Sequence, residues 1–518
     1  MKTKTIGFIV GILAFLVIII LPTFNVFQTT SEQLIAKQGN SLDPQIVARS
    51  MQSVLAVLLL MVIWWITEPV PIPATALLPA VLFPILKITG IQENTFFEFS
   101  FKHTLLNYAN PVIYLFLGGF LLAGAMQKWK LDRRLTLFIL TRWKLADNSE
   151  NILLGIMITT AFVSMWISNT ATTAMMLPLG LGVLSLVGVK PGESRFGTAL
   201  MLGIAWSASI GGVGTIIGSP PNGIALGILN STFGNNPSYQ TITFLDWMKF
   251  GVPFVILAVP VAWLLLIKIF PSEISKIQGG KEQLLNERSS LGKLSVGEKR
   301  TIFVVSFAAF LWVSNPFWNF ILPKWLCNQL IWIDEYSIGL ICGVLLFLIP
   351  VDLKENKFLL DWRDVKFVDW GTLILFGGGI ALSDAMFKTG LAIWIADSFI
   401  GMFGTPSTLI LMMLIVLLAE LLTEVTSNTA VTSMMVPIVI SIALTAGSNP
   451  KVLAVAAAVG ASMAFMLPVA TPPNALVYGT GYVTLKDMIK AGIVLDFIFW
   501  ILTTFVMIII GQYLFGVF

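Results

Sequence analysis

The sequence predicts an all-α polytopic membrane protein, with about eleven transmembrane helices and two re-entrant hairpins set in an inverted internal repeat. Three observations lead there. Of 518 residues, 56% are hydrophobic and 11% are charged, with a mean hydropathy of +0.88, whereas soluble domains carry about 25% charged residues. Apolar runs of roughly 15 to 25 residues, bounded by charge, Gly or Pro, recur along the whole chain, as a hydrocarbon core requires. A polar motif inside one such run also returns in another: Ser168, Asn169 and Thr170 reappear 259 positions later as Ser427, Asn428 and Thr429.

Composition also removes function classes. Cys327 and Cys342 supply neither a disulfide framework nor a thiolate metal cluster. His103 is the only histidine, so histidine metal sites and the usual acid–base chemistry have no basis. Ser168 or Ser427 as a nucleophile would lack a neighbouring histidine, which sets enzyme catalysis aside. The formal charge of +4 is small for the length and gives no basis for nucleic-acid binding.

Taken in order, candidate spans are residues 6–24, 50–66, 73–90, 108–126, 197–230 with an interruption, 250–270, 301–322, 334–350, 368–386, 451–478 with an interruption, and 491–515. Lys2 and Lys4 precede the first. No small-x-small pattern follows Leu21, so it reads as a retained helix rather than a cleaved leader. Segments 151–186 and 406–446 stand apart, each with Ser-Asn-Thr near its middle. Each is long enough for two spans or for two shorter helices that enter and turn back. Both readings preserve parity, so charge bias does not separate them. The hairpin reading is preferred because it places the triads, with Thr172-Thr173 and Thr432-Ser433, at a turn where backbone groups face a polar cavity.

The repeat extends well beyond the triads. Gly118-Gly119 matches Gly377-Gly378, Pro220-Pro221-Asn222 matches Pro472-Pro473-Asn474, and Asp246 to Gly251 matches Asp487 to Gly492, all in the same order. Each unit comprises a helix, a connector, a hairpin, a broken helix and a closing helix. Three crossings per unit, with an even number between units, make the copies inverted. The resulting division is 1–107 for amino-terminal helices, 108–270 for the first repeat, 271–300 for a cytoplasmic linker, 301–367 for connecting helices and 368–518 for the second repeat.

Charge bias agrees with inversion. Connector 127–150 holds Lys128, Lys130, Arg133, Arg134, Arg142 and Lys144, whereas 387–405 holds only Lys388. The positive-inside rule then places the first connector in the cytoplasm with the amino terminus, and the second outside with the carboxy terminus. Within residues 131–147, Leu131, Leu135, Phe138, Ile139 and Trp143 interleave with basic residues, the pattern of an amphipathic helix at the interface.

The double prolines should break their spans, because each removes a backbone donor and clashes with the preceding turn. Freed carbonyls then line a cavity or coordinate a cation. Proline is common in membrane helices in any case, but two pairs at equivalent places argue for a site. Ser219, Asn222, Thr471 and Asn474 lie close by as second contributors, and the hairpin centres contain no Lys or Arg. Such a cavity binds Na⁺ through oxygen. The cations and helix N-termini then balance an anionic solute, although the residues equally allow a neutral one. Isolated hydroxyls such as Thr172 and Ser433 are read as bonded to their own helix. Glu68 and Glu424 are read as structural hydrogen-bonding groups.

Across nearly the whole chain, from the segment Thr67 to Pro79 through both triads to Ala470-Thr471-Pro472-Pro473-Asn474, the sequence resembles the divalent-anion/sodium symporters. That family includes bacterial sodium-dependent dicarboxylate transporters. The resemblance implies Na⁺ as co-transported ion without an organic cofactor, with one site at Ser164, Ser168, Asn169 and Gly218. It implies a second at Thr423, Ser427, Asn428 and Ala470. Substrate carboxylates would meet Asn169, Thr170, Asn428, Thr429, Thr471 and Pro472. It further implies a C4 dicarboxylate as substrate, a membrane-embedded homodimer and elevator-type movement, with exchange or citrate transport as alternatives.

Overall fold

The computed structural model describes residues 2–37, 43–92, 95–142, 148–274 and 280–516. The chain opens with α1 (Lys2–Ile20), α2 (Asn25–Lys37) and α3 (Pro44–Thr67), then the short α4 (Ile72–Thr75) and α5 (Leu78–Ile85). An antiparallel hairpin of β1 (Thr89–Gln92) and β2 (Thr95–Glu98) and the short α6 (Phe101–Leu106) follow. The first repeat contains α7 (Pro111–Lys128), α8 (Leu131–Arg142), α9 (Ser149–Ser164), α10 (Asn169–Leu186), α11 (Arg195–Gly212), α12 (Pro220–Phe233) and α13 (Phe244–Ile269). Between the repeats lie α14 (Gly280–Ser290), α15 (Val296–Ser314), α16 (Trp318–Ile321), α17 (Lys324–Leu330), α18 (Glu335–Leu348) and a second hairpin, β3 (Pro350–Asp352) with β4 (Lys357–Phe358). The second repeat contains α19 (Trp370–Thr389), α20 (Leu391–Phe403), α21 (Thr408–Thr423), α22 (Asn428–Thr445), α23 (Pro450–Gly460), α24 (Pro472–Tyr478) and α25 (Leu485–Val506). A π-turn carries α25 into α26 (Gln512–Phe515).

The two repeats correspond element for element: long helix, arm helix, two-limbed hairpin, broken helix and closing helix. Among the described residues nine helices are long and apolar enough to cross a membrane, or up to eleven when two bent pairs each count as one span. Those pairs are α17 with α18, bent by 70°, and α20 with α21, bent by 112°. The fold is therefore all-α and polytopic. Residues 73–90 differ from a single span. Proline stands inside α5 at Pro84, where it removes a helical donor; the chain reverses at Lys87, with φ of 50°, into β1. The segment read as an interfacial helix is helical as α8 over Leu131–Arg142, while Trp143 and Lys144 lie outside the described residues, as do Lys276 and Gly279 of the linker.

Local chemistry explains the helix starts. Pro44, Pro111, Pro220, Pro450 and Pro472 stand at first helical positions, where the missing donor costs nothing. Asn110 caps α7 by accepting from Val112 N–H at 3.0 Å, and Thr243 with Asp246 forms a capping box on α13.

One hydrophobic core runs through both repeats, and a smaller one joins α3, α5, α19 and α20. The half-helices α11 and α23 are buried along their whole length apart from Arg195. Outward-facing Ile20, Phe303 and Phe310 are exposed, as expected of side chains that meet lipid. The decisive contacts cross between copies: α10 packs on α24, and α22 packs on α12. The second limb of each hairpin therefore rests on the half-helix after the other copy's break.

Candidate functional site

In each hairpin the polar motif occupies the turn. Limb α9 ends at Ser164 and α10 begins at Asn169, just as α21 ends at Thr423 and α22 begins at Asn428. Ser168 caps α10, its Oγ accepting from Ala171 N–H at 3.3 Å. Ser427 holds the equivalent position, but its hydroxyl donates to Thr429 Oγ1 at 3.2 Å. In both copies a threonine one turn into the second limb returns its hydroxyl to the asparagine carbonyl, Thr173 to Asn169 and Thr432 to Asn428, each at 2.8 Å. Ser433 bonds its own helix at Thr429 O, 2.9 Å away. Thr172, of which the same was expected, has its buried hydroxyl without a protein partner.

The Ser164 hydroxyl donates to Ala208 O at 2.7 Å and lies 2.8 Å from the Asn169 amide. With its nitrogen inward, that amide donates to Ser164 Oγ at 2.8 Å, Ala208 O at 3.1 Å and Gly218 O at 3.3 Å. With its oxygen inward, Asn169 joins the two carbonyls, which offer no donor, around the single hydroxyl, a set that a cation stabilises. The second copy repeats this arrangement: Thr423 Oγ1 donates to Ala461 O at 2.8 Å and lies 2.6 Å from Asn428 Oδ1. Ser164, Asn169 and Gly218 are thus brought together, as are Thr423 and Asn428. Ala470 lies on the second break, with its own N–H directed at Leu467 O.

The breaks are built by their asparagines. Asn222 Nδ2 donates to Gly212 O at 2.9 Å and Thr215 O at 2.8 Å, and Asn474 Nδ2 donates to Ala464 O and Leu467 O, both at 3.1 Å. Both side chains are fully buried. They hold the unwound carbonyls in place, a different role from the second contributors expected of them. Thr471 caps α24 through Asn474 N–H at 3.3 Å and is buried, whereas Thr170 and Pro472 are exposed. Asn169, Asn428 and Thr429 are half-buried, so the proposed substrate set presents both sealed and accessible groups.

Sequence reading missed three features. The carbonyls of Ala208 and Ala461 complete the two oxygen clusters, yet an alanine gives no sign of where its backbone oxygen points. Gly212 sits where an added Cβ would come within 2.5 Å of the Asn169 amide oxygen, so the residue leaves room for the cluster. Glu424 accepts from three successive N–H groups of the second break: Phe465 at 2.5 Å, Met466 at 2.9 Å and Leu467 at 2.9 Å. Its structural role was expected, but its partners were not. Glu68 ends α3 with φ of 45° and an exposed side chain.

Comparison with known proteins agrees with this architecture. A family profile described as "Sodium:sulfate symporter transmembrane region" matches residues 43–517. The chain is 38% identical over 470 residues to the sodium-dependent dicarboxylate transporter SdcS of Staphylococcus saprophyticus, covering 89% of this chain and 85% of that relative. It is 35% identical over 474 residues to the protein of the same name from Staphylococcus aureus strain MRSA252, with the same two coverages. Among solved structures, the YdaH transporter of Alcanivorax borkumensis matches with a TM-score of 0.53 and 14% identity, over 89% of this chain and 98% of that one, a likeness of fold alone. The chain therefore belongs to the sodium:sulfate symporter family, membrane transporters rather than enzymes.

Proposed function

We propose that the protein couples inward movement of Na⁺ to uptake of C4 dicarboxylates such as succinate, malate and fumarate. The observation that carries this reading is the pair of matched oxygen clusters, Ser164 with Asn169 and Thr423 with Asn428, beside unwound carbonyls and away from any Lys or Arg side chain in the hairpin turns. Two cations held there offset a doubly negative solute lying between the hairpin tips, and the amino ends of α10, α22 and α24 add partial positive charge. Asn169 and Asn428 serve both ligands, since an amide presents an acceptor to the cation and a donor to a carboxylate. Thr170, Thr429, Thr471 and Pro472 complete the substrate surface, while Ser168, Gly218, Ser427 and Ala470 complete the cation sites. The names of the staphylococcal relatives support a dicarboxylate as solute and sodium as the coupled ion.

In this reading the protein works as a homodimer in the cytoplasmic membrane, amino terminus inside and carboxy terminus outside. The hairpins and broken helices slide as an elevator against a scaffold that includes the helices of residues 73–90, 108–126, 301–350 and 368–386. Proteoliposomes should accumulate labelled succinate only under an inward Na⁺ gradient. Equal uptake in Na⁺-free buffer without internal substrate would reject coupling. Uptake that ignores Na⁺ and requires internal dicarboxylate would make the protein an exchanger, and a preference for citrate in a substrate panel would reassign the solute.

A further inference from the structure

The two breaks are not held alike. In the first, Val213 N–H bonds Ile210 O, Gly214 N–H bonds Gly211 O, and the Thr215 hydroxyl donates to Met165 O in the hairpin turn at 2.5 Å, so local turns and one hydroxyl hold the segment. The corresponding amides of the second break, Phe465 and Met466, together with Leu467, instead donate to the Glu424 carboxylate. Glu424 follows Thr423 directly and lies in the turn of the second hairpin; its counterpart in the first hairpin, 259 positions earlier, is Met165. It is 2% exposed, and Asp496 of α25 and Glu420 of α21 face it. Three convergent amide donors suit an ionised carboxylate. One side chain therefore ties the turn that carries Thr423, Ser427 and Asn428 to the unwound segment that carries the Leu467 and Ala470 carbonyls.

We propose that Glu424 is a positioning residue that keeps the second cation site assembled, so that the two Na⁺ sites are unequal: the first held by local turns and a neutral hydroxyl, the second dependent on one carboxylate. The inference rests on the sodium-symport reading above and deepens it. Cation affinity depends on groups that orient the ligands; losing one typically costs about 10- to 100-fold. Glutamine in place of Glu424 keeps the shape, but its amide nitrogen meets N–H donors and the charge is gone.

The test uses purified full-length protein titrated with NaCl against choline chloride, reading thermal stabilisation, alongside uptake in proteoliposomes. For E424Q the Na⁺ concentration at half-effect should rise about tenfold or more, and cooperativity in Na⁺ should fall. A folded E424Q with the wild-type Na⁺ midpoint overturns the proposal, as does a lower melting temperature with an unaltered Na⁺ response, which marks a purely structural brace. If E424Q is not recovered folded, E424D decides. It keeps the charge but is one methylene too short to reach all three amides, so its Na⁺ midpoint should also rise, and a wild-type midpoint overturns the idea. Wild-type protein without any Na⁺ stabilisation would instead count against the symport reading itself.

Discussion

At the residue scale, the proposed site gathers oxygens rather than charged side chains. Asn169 and Asn428 face the oxygen clusters, whereas Asn222 and Asn474 face the backbone of the breaks, so equal substitutions should have different consequences. N169A and N428A are expected to abolish succinate uptake with little change in melting temperature; retained uptake in either would remove that residue from the site. N474A frees two buried carbonyls, Ala464 O and Leu467 O, and should lower stability by about 1–3 kcal/mol, measurable by thermal unfolding. The triads were legible in the sequence because Ser, Asn and Thr side by side in apolar surroundings demand partners. The division of labour between the two asparagine pairs was not legible, since one residue type serves both tasks.

At the scale of elements, the closing helices press on the breaks. A Cβ added at Gly251 of α13 would meet Val213 O at 2.5 Å, and one added at Gly492 of α25 would meet the Met466 backbone at 2.6 Å. Because both obstacles are backbone, G251A and G492A should displace the unwound segment and cost about 1–3 kcal/mol. Uptake should fall more than that loss of stability explains, and unchanged uptake in both variants would show that the contact does not set site geometry. A second element-level device sits where the linker begins. Glu273 takes hydrogen bonds from the Ser194 hydroxyl and from Phe196 N–H, at the start of α11. Burial works against its charge, but these bonds outweigh it and hold the carboxyl below its ordinary range. A lowered pKa contributes stability above the ordinary carboxylate range that is lost as the pH falls through and below it. E273Q should therefore show a shallower loss of melting temperature on acidification than wild type; identical acid profiles would dismiss the staple. The matched glycines were visible as part of the repeat. Their contacts required the fold.

At the scale of the molecule, the repeat creates a site because its halves interlock, with α10 on α24 and α22 on α12. Tags placed in connectors 127–150 and 387–405 should be reached by impermeant reagents from opposite sides of the membrane, and labelling from one side only would end the inverted-repeat account. Both hairpins and both breaks followed from the sequence, because apolar length, proline and a repeated polar motif act through local chain chemistry, whereas the helices Asn25–Lys37 and Leu391–Phe403 did not. Residues 73–90 were read too simply, since a run interrupted by Pro79 and Pro84 has the composition of a span without its geometry. Tertiary structure alone decided which carbonyls join each oxygen cluster, and that Glu424 reaches across to Phe465, Met466 and Leu467. The physical reason is that backbone groups are identical in every residue, so their convergence depends on where distant segments of chain are packed.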